Sequence, residues 1–192
     1  HVTATLGLRF ENWRASAGYL VDGGETVHYA ARSKSAWSPK FALSVAPDSL
    51  SRITASVALA TRFPTVRELY QPGLVQYGAD VGALDLNGFN PDLKPEKAVD
   101  IQLTAMRQFG NVHITIDGYR QDVHDTIFEQ SIAVPDPDSS NLVQSSLLTN
   151  IGKVRSWGAD VVVSAEDIVA KGLALDANLS WIHAEITRNA LN

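Results

Sequence analysis

The side chains most able to do chemistry are spaced in ways that do not support it. The five histidines stand at positions 1, 28, 113, 124 and 183, and none pairs with another at the i, i+4 spacing of a helical zinc site. The chain has no cysteine, so thiolate nucleophiles, disulfides and Cys-based zinc sites are excluded, a composition that fits an oxidising compartment. The acids Asp122, Asp125 and Glu129, with Asp136 and Asp138 beyond, would suit calcium or acid/base catalysis. The EF-hand spacing is absent, and like charges near a strand end most simply face water. Asp22-Gly23-Gly24 lacks the glycine spacing and Lys-Ser/Thr ending of a phosphate cradle, and no serine lies in a nucleophile elbow. The expectation is a protein that is not an enzyme and holds neither metal nor cofactor.

The elements that would carry these residues are strands. In Val99 to Arg107 the apolar Val99, Ile101, Leu103 and Ala105 alternate with Asp100, Gln102 and Thr104. Val112, Ile114 and Ile116 then alternate with His113, Thr115 and Asp117. Gly110-Asn111 joins the two segments with residues that tolerate positive φ, as a tight hairpin requires. The pattern recurs at Leu6, Leu8 and Phe10, at Phe41, Leu43 and Val45, and from Leu173 to Trp181. About seven strands are predicted, near 2–13, 38–46, 52–62, 98–109, 111–128, 148–165 and 172–187. Residues 51–60 also fit a helix capped by Asp48 or Ser49, but Ile53, Ala55, Val57 and Leu59 alternating with Thr54 and Ser56 favour a strand. Most of these strands reach the roughly 9–11 residues needed to cross a bilayer at a tilt.

The connections carry as much information as the strands. Those near Pro47-Asp48-Ser49, Phe109-Gly110-Asn111 and 166–172 are short, whereas those at 14–37, 63–97 and 129–147 are long. Strict alternation of short and long puts all short turns at one end of an up-and-down antiparallel sheet and all long loops at the other. Outer-membrane barrels have that asymmetry, with short periplasmic turns and long extracellular loops. A soluble β-sandwich with Greek-key connections, the competing reading, has no reason to sort its loops this way. Trp13, Trp37, Trp157 and Trp181, with Tyr119 and Phe128, then read as an aromatic girdle or, in the sandwich, as core.

Bulk properties alone would mislead. The chain has 192 residues, 45% hydrophobic and 19% charged, with a net charge of -5, which reads as one ordinary soluble domain. Its scattered Lys and Arg form no basic cluster that would neutralise nucleic-acid phosphates. No run of about 18 apolar residues offers a transmembrane helix, and the first residues lack the pattern of a signal peptide. The chain is read as starting and stopping within a longer structure.

Two segments carry a family resemblance. Arg62-Phe63-Pro64-Thr65-Val66-Arg67-Glu68-Leu69-Tyr70 resembles the stretch that leaves a barrel strand at its extracellular end in TonB-dependent outer-membrane receptors. Asn90-Pro91-Asp92-Leu93-Lys94-Pro95-Glu96 is similar to the stretch that re-enters the barrel. Segments 117–127 and 150–160 match the next outgoing and returning strands, in the family's order. Pro64 and Pro95 end strand pairing, since proline has no amide donor and restricts the residue before it.

The resemblance implies an all-β, antiparallel, up-and-down transmembrane barrel segment of about seven strands, roughly a third of a barrel of about 22. Residues 1–192 would form part of a single barrel domain, with the plug domain absent from this stretch and the sheet's open edges satisfied by a longer polypeptide. It further implies residence in the outer membrane of a Gram-negative-type bacterium, with membrane lipid, TonB acting through the plug, and a scarce nutrient such as a ferric siderophore as partners. Arg62, Phe63, Pro64, Glu68, Asn90, Pro91, Leu93, Pro95 and Glu96 are expected to be structural. Arg67, Tyr70 and Tyr77 are the ligand candidates, able to stack on or pair with an anionic chelate.

Overall fold

The computed structural model describes residues 1–16, 18–22, 25–74, 84–85, 89–135 and 142–189. In chain order the elements are β1 (Val2–Ala15), β2 (Tyr19–Asp22), β3 (Glu25–His28), β4 (Arg32–Val45), β5 (Ser51–Arg62), α1 (Val66–Tyr70), β6 (Gly73–Leu74), β7 (Leu84–Asp85), β8 (Glu96–Phe109), β9 (Val112–Pro135), β10 (Leu142–Glu166) and β11 (Ala174–Arg188). The seven long strands form one antiparallel sheet, β1-β4-β5-β8-β9-β10-β11, each paired with the next long strand in sequence. It is an open meander, with β1 and β11 at its edges.

Register sorts side chains by period two into two faces. One face is apolar: Val2, Val45, Ile53, Ala105, Ile116, Val161 and Leu179 lie in one continuous rung across all seven strands. The other is polar and carries its own ladder of bonds, Thr54 to Ser44 at 3.0 Å, Gln121 to Asp100 at 2.6 Å, and Thr104 to Asp117. The apolar face is not covered. Leu6 is 82% exposed and Leu179 71%, and no second layer packs on them among the described residues. A sandwich would bury that face, so the sandwich reading finds no support here. An apolar-out, polar-in sheet is the arrangement of a membrane barrel wall.

The apolar band also slopes. Two rungs further along the same face, the residues run Leu6, Phe41, Val57, Ile101, Arg120, Trp157, His183, apolar at the β1 side and polar at the β11 side. Tilted barrel strands produce this, because the membrane plane crosses the hydrogen-bond ladder obliquely.

The ends of the sheet differ as expected. Short turns join β4 to β5, β8 to β9 and β10 to β11. In the β8–β9 turn Gly110 takes the positive φ, 58°, while Asn111 does not need it. Residues 51–60 are strand β5, held on both sides by β4 and β8, so the helical alternative fails.

The main departure from expectation is at the long-loop end. Strand β9 continues to Pro135 and β10 starts at Leu142, so most of the predicted loop at 129–147 is a two-stranded ribbon. Alternation fades there because Glu129-Gln130-Ser131 and Gln144-Ser145-Ser146 are polar throughout, yet backbone pairing needs no apolar face. Likewise β4 starts at Arg32 rather than at residue 38, and the predicted loop at 14–37 holds the β2/β3 hairpin.

Candidate functional site

The loop between β5 and β8 leaves the sheet at Arg62 and returns at Glu96, which are direct cross-strand partners. Arg62 Nε donates to Glu96 Oε2 at 2.5 Å, and Nη1 donates to both Glu68 carboxylate oxygens, at 3.1 and 3.2 Å. One guanidinium thus ties together the strand end, the first turn of the loop and the returning strand. Its planar fork of donors suits two carboxylates at once. The hydrogen bond to Glu96 pushes the guanidinium further above its ordinary value.

Glu68 has a second task. Thr65 caps the five-residue helix α1, accepting from the Glu68 amide at 3.2 Å, while Glu68 Oε2 accepts from the Thr65 amide at 2.7 Å. This reciprocal capping box satisfies amides a helix start leaves open. Burial works to raise the Glu68 pKa, but the Thr65 amide and hydroxyl and Arg62 outweigh it and hold the carboxyl below the ordinary glutamate value. Glu96 Oε1 accepts from the Ile127 amide at 2.7 Å, so the same chain of bonds reaches β9.

The helix exists to bury Leu69. Leu69 and Leu93 are 0% and 1% exposed, packed with Ala15 and Leu148 and flanked by Trp13, Tyr70 and Ile127. Around this small core the loop's backbone is paired by side chains. The Asn90 amide donates to the Glu68 carbonyl at 2.8 Å, Asn90 Nδ2 donates to the Leu148 carbonyl at 3.2 Å, and Asn90 Oδ1 accepts from the Asp92 amide at 2.8 Å, closing the turn in which Pro91 sits. Arg32 donates to the Leu93 carbonyl at 3.0 Å. Asn150 accepts from the Lys94 amide at 2.8 Å and donates to the carbonyls of Lys94 at 3.0 Å and Asp125 at 2.6 Å, continuing strand-like pairing beside Pro95.

The expected structural residues are therefore brought together: Arg62, Glu68 and Glu96 in one network, Asn90, Pro91 and Leu93 in the turn and core, Pro64 buried next to the cap, and Phe63 stacked on Trp13 at 5.7 Å. The ligand candidates are dispersed. Arg67 is exposed on α1. Tyr70 packs into an aromatic cluster, 5.1 Å from Tyr29, which is 6.0 Å from the buried Phe89. Tyr77 lies outside the described residues, as do Gly23, Gly24, Asp136 and Asp138.

Sequence reasoning did not assign roles to Asn150, Arg32, Tyr29 or Phe89. Their partners are distant in sequence, and only the Asn150-Ile151-Gly152 segment carried any signal. Of the aromatic girdle candidates, Trp37, Trp157 and Trp181 lie on the apolar face, Phe10 meeting Trp37 at 4.7 Å and Trp157 meeting Trp181 edge-on at 4.6 Å. Trp13 and Tyr119 depart from that expectation. Both lie on the polar face, Trp13 on Phe63 and Tyr119 across Gly158, where an added Cβ would collide with the Tyr119 ring and the Trp181 carbonyl. Among the described residues no three His, Asp or Glu converge as metal ligands do.

No curated protein matches this chain. Among solved structures it resembles the copper transporter OprC (TM-score 0.71, 18% identity over 97% of this chain and 27% of that one), and the siderophore receptor PirA from Pseudomonas aeruginosa (0.65, 15%, over 80% and 29%). The FrpB iron transporter from Neisseria meningitidis also aligns (0.60, 18%, over 96% and 24%). At these identities the likeness concerns the fold, and the chain spans about a quarter of each receptor's length. The family model for the TonB-dependent receptor-like β-barrel matches residues 1–192. Proteins of that family are receptors and transporters of the Gram-negative outer membrane rather than enzymes. With its sorted faces, its alternating turns and this match along its whole length, the chain belongs to the TonB-dependent receptor-like β-barrel family.

Proposed function

We propose that this chain is part of the wall and outer loops of a receptor that takes up a scarce nutrient, a ferric siderophore, with energy supplied through TonB. The observation that carries this reading is the clamp around Arg62. It ties a long loop down at both of its ends while Arg67, in the loop's first turn, stays exposed, an arrangement suited to presenting a binding surface above a fixed wall. The siderophore receptor and iron transporter among the structural relatives support the ligand class, and an anionic chelate would suit Arg67, Tyr70 and Tyr77 as cation and stacking partners. In this reading residues 1–192 are one portion of a single barrel domain in the outer membrane. The plug that contacts TonB, and the strands that pair with β1 and β11, come from the rest of the polypeptide.

The test is uptake of radiolabelled iron by cells whose only siderophore receptor is the full-length protein. Uptake that requires both the receptor and TonB is expected. Uptake of cobalamin or a copper chelate in place of iron would retain the transporter and replace the ligand. Fractionation of the parent protein away from the outer membrane would end the reading altogether.

A further inference from the structure

On the β9–β11 side the apolar face does not stop at its aromatic edge. It continues upward into charge. Three successive rungs on that same face, read from β8 to β11, are Ile101, Arg120, Trp157, His183; then Val99, Asp122, Arg155, Glu185; then Lys97, His124, Lys153. Period-two alternation keeps all of them on the side of Ile116, Val161 and Leu179, so they point toward lipid and not toward the polar interior. Each rung adds roughly 7 Å along the strand, which sets Arg120, Asp122 and His124 two, three and four rungs beyond Ile116 on β9, at headgroup depth.

The cations are held in place. Asp122 accepts from Arg155 Nε at 2.8 Å and from Arg120 Nη2 at 2.7 Å, and Lys153 Nζ lies 3.2 Å from the same carboxylate. With Glu185 across from Arg155 counted, the rungs hold the four cations Lys97, Arg120, Lys153 and Arg155 against the two carboxylates Asp122 and Glu185, an excess of two positive charges. Arg155 uses Nε on Asp122 and Arg120 uses Nε and Nη2, out of five donor hydrogens apiece. Arg120 keeps its side chain 48% exposed beside its cross-strand partner Trp157, which lies one rung below Arg155, and Trp181 one rung lower still completes a half-exposed aromatic ledge. Fixed cations above an amphipathic aromatic ledge, on a lipid-facing surface, match a phosphorylated headgroup whose acyl chains lie along the apolar band.

We propose that Arg120, Lys153 and Arg155, arranged by Asp122, bind the phosphate groups of an outer-leaflet glycolipid on the outside of the barrel. This rests on the outer-membrane reading above. It differs from nutrient binding in both face and ligand, since the loop clamp and the polar interior take no part.

The test uses the full-length receptor purified in zwitterionic detergent and titrated with diphosphorylated lipid A or with the same lipid stripped of phosphate. Native protein should prefer the phosphorylated lipid by about tenfold or more, with a preference that falls as salt rises, and should lose roughly fivefold for each cation removed. The variant Arg120→Gln/Lys153→Gln/Arg155→Gln/Asp122→Asn removes the cations without stranding a carboxylate. It should lose the phosphate preference while keeping heat-dependent gel migration and nutrient uptake. A variant that keeps the preference, or native protein that shows none, overturns the proposal. A parent protein in the outer membrane without that preference withdraws the lipid site alone, whereas a parent absent from that membrane withdraws both readings.

Discussion

The apolar band and the loop clamp are built from the same strands and are stabilised in opposite ways. In the band, side chains such as Leu6, Leu103 and Leu179 are exposed on the protein, and in the outer-membrane reading they face lipid, so what matters is that they are apolar. Backbone pairing along the ladders supplies the structure. In the clamp, a core of four buried residues is far too small to organise a loop of more than thirty residues by itself, and named polar groups carry the geometry: Arg62 on two glutamates, Asn90 on two carbonyls and an amide, Asn150 on Lys94. The lesson is that a barrel wall tolerates exchange within a chemical class, while a loop mouth depends on individual hydrogen bonds.

The largest effects should fall where this contrast is sharpest. Leu69→Ala leaves a cavity in the small core and should cost about 2–5 kcal/mol locally. It would be seen as rapid protease cleavage of the 63–95 loop in intact cells with the barrel still heat-modifiable, and loss of the whole barrel instead would show that clamp and wall fold as one unit. Leu103→Arg puts a charge in the band and should cost about 2–4 kcal/mol if Leu103 lies near mid-membrane, read as a lower denaturant midpoint in liposomes. Arg62→Gln leaves Glu96 and Glu68 without their cation and should cost about 1–3 kcal/mol, again as loop proteolysis.

Smaller effects refine the comparison. The hydrogen bond from Arg155, with those from Arg120 and Lys153, holds Asp122 well below the ordinary carboxylate range despite some burial, and the group lies beyond the apolar band on β9. Because the folded value is the depressed one, its contribution is present above the unfolded carboxylate pKa of about 3.9 and fades only as pH falls further. Asp122→Asn should therefore change stability at neutral pH by about 1 kcal/mol or less, given partial exposure, and the difference from native protein should vanish in strong acid. Leu103→Ile should be nearly silent, within about 0.5 kcal/mol. A large effect from that exchange would mean that Leu103 faces protein and not lipid.

The parts legible in advance were those that repeat. Val99 to Ile116 announced a hairpin through alternation and a glycine, and Gly110 takes the turn. The ribbon beyond Phe128 was not legible, because Glu129-Gln130-Ser131 and Gln144-Ser145-Ser146 are polar in succession, so the alternation that marks a strand disappears while its backbone pairing remains. The clamp was half legible: Arg62, Glu68, Asn90 and Glu96 stood out by resemblance, but nothing local says that Arg62 would reach both glutamates or that Asn150 would pair with Lys94. The charged rungs at and above Trp157 were not read in advance, although Arg120 and Asp122, like Lys153 and Arg155, are spaced by two and so share a face.

By itself the sequence determined which side chains alternate, where proline and glycine end pairing, and so the number, order and two-faced character of the strands. These are local properties, decided within a few residues by backbone sterics and hydrophobic period. Only the tertiary structure decided who meets whom. Arg62 and Glu96, or Asp122 and Arg155, are separated by 34 and 33 residues and become neighbours through a strand register that exists once the sheet has formed. The slope of the apolar band, which sets those charges beyond it on one side of the sheet and not the other, follows from strand tilt, a property of the whole sheet that no single strand encodes.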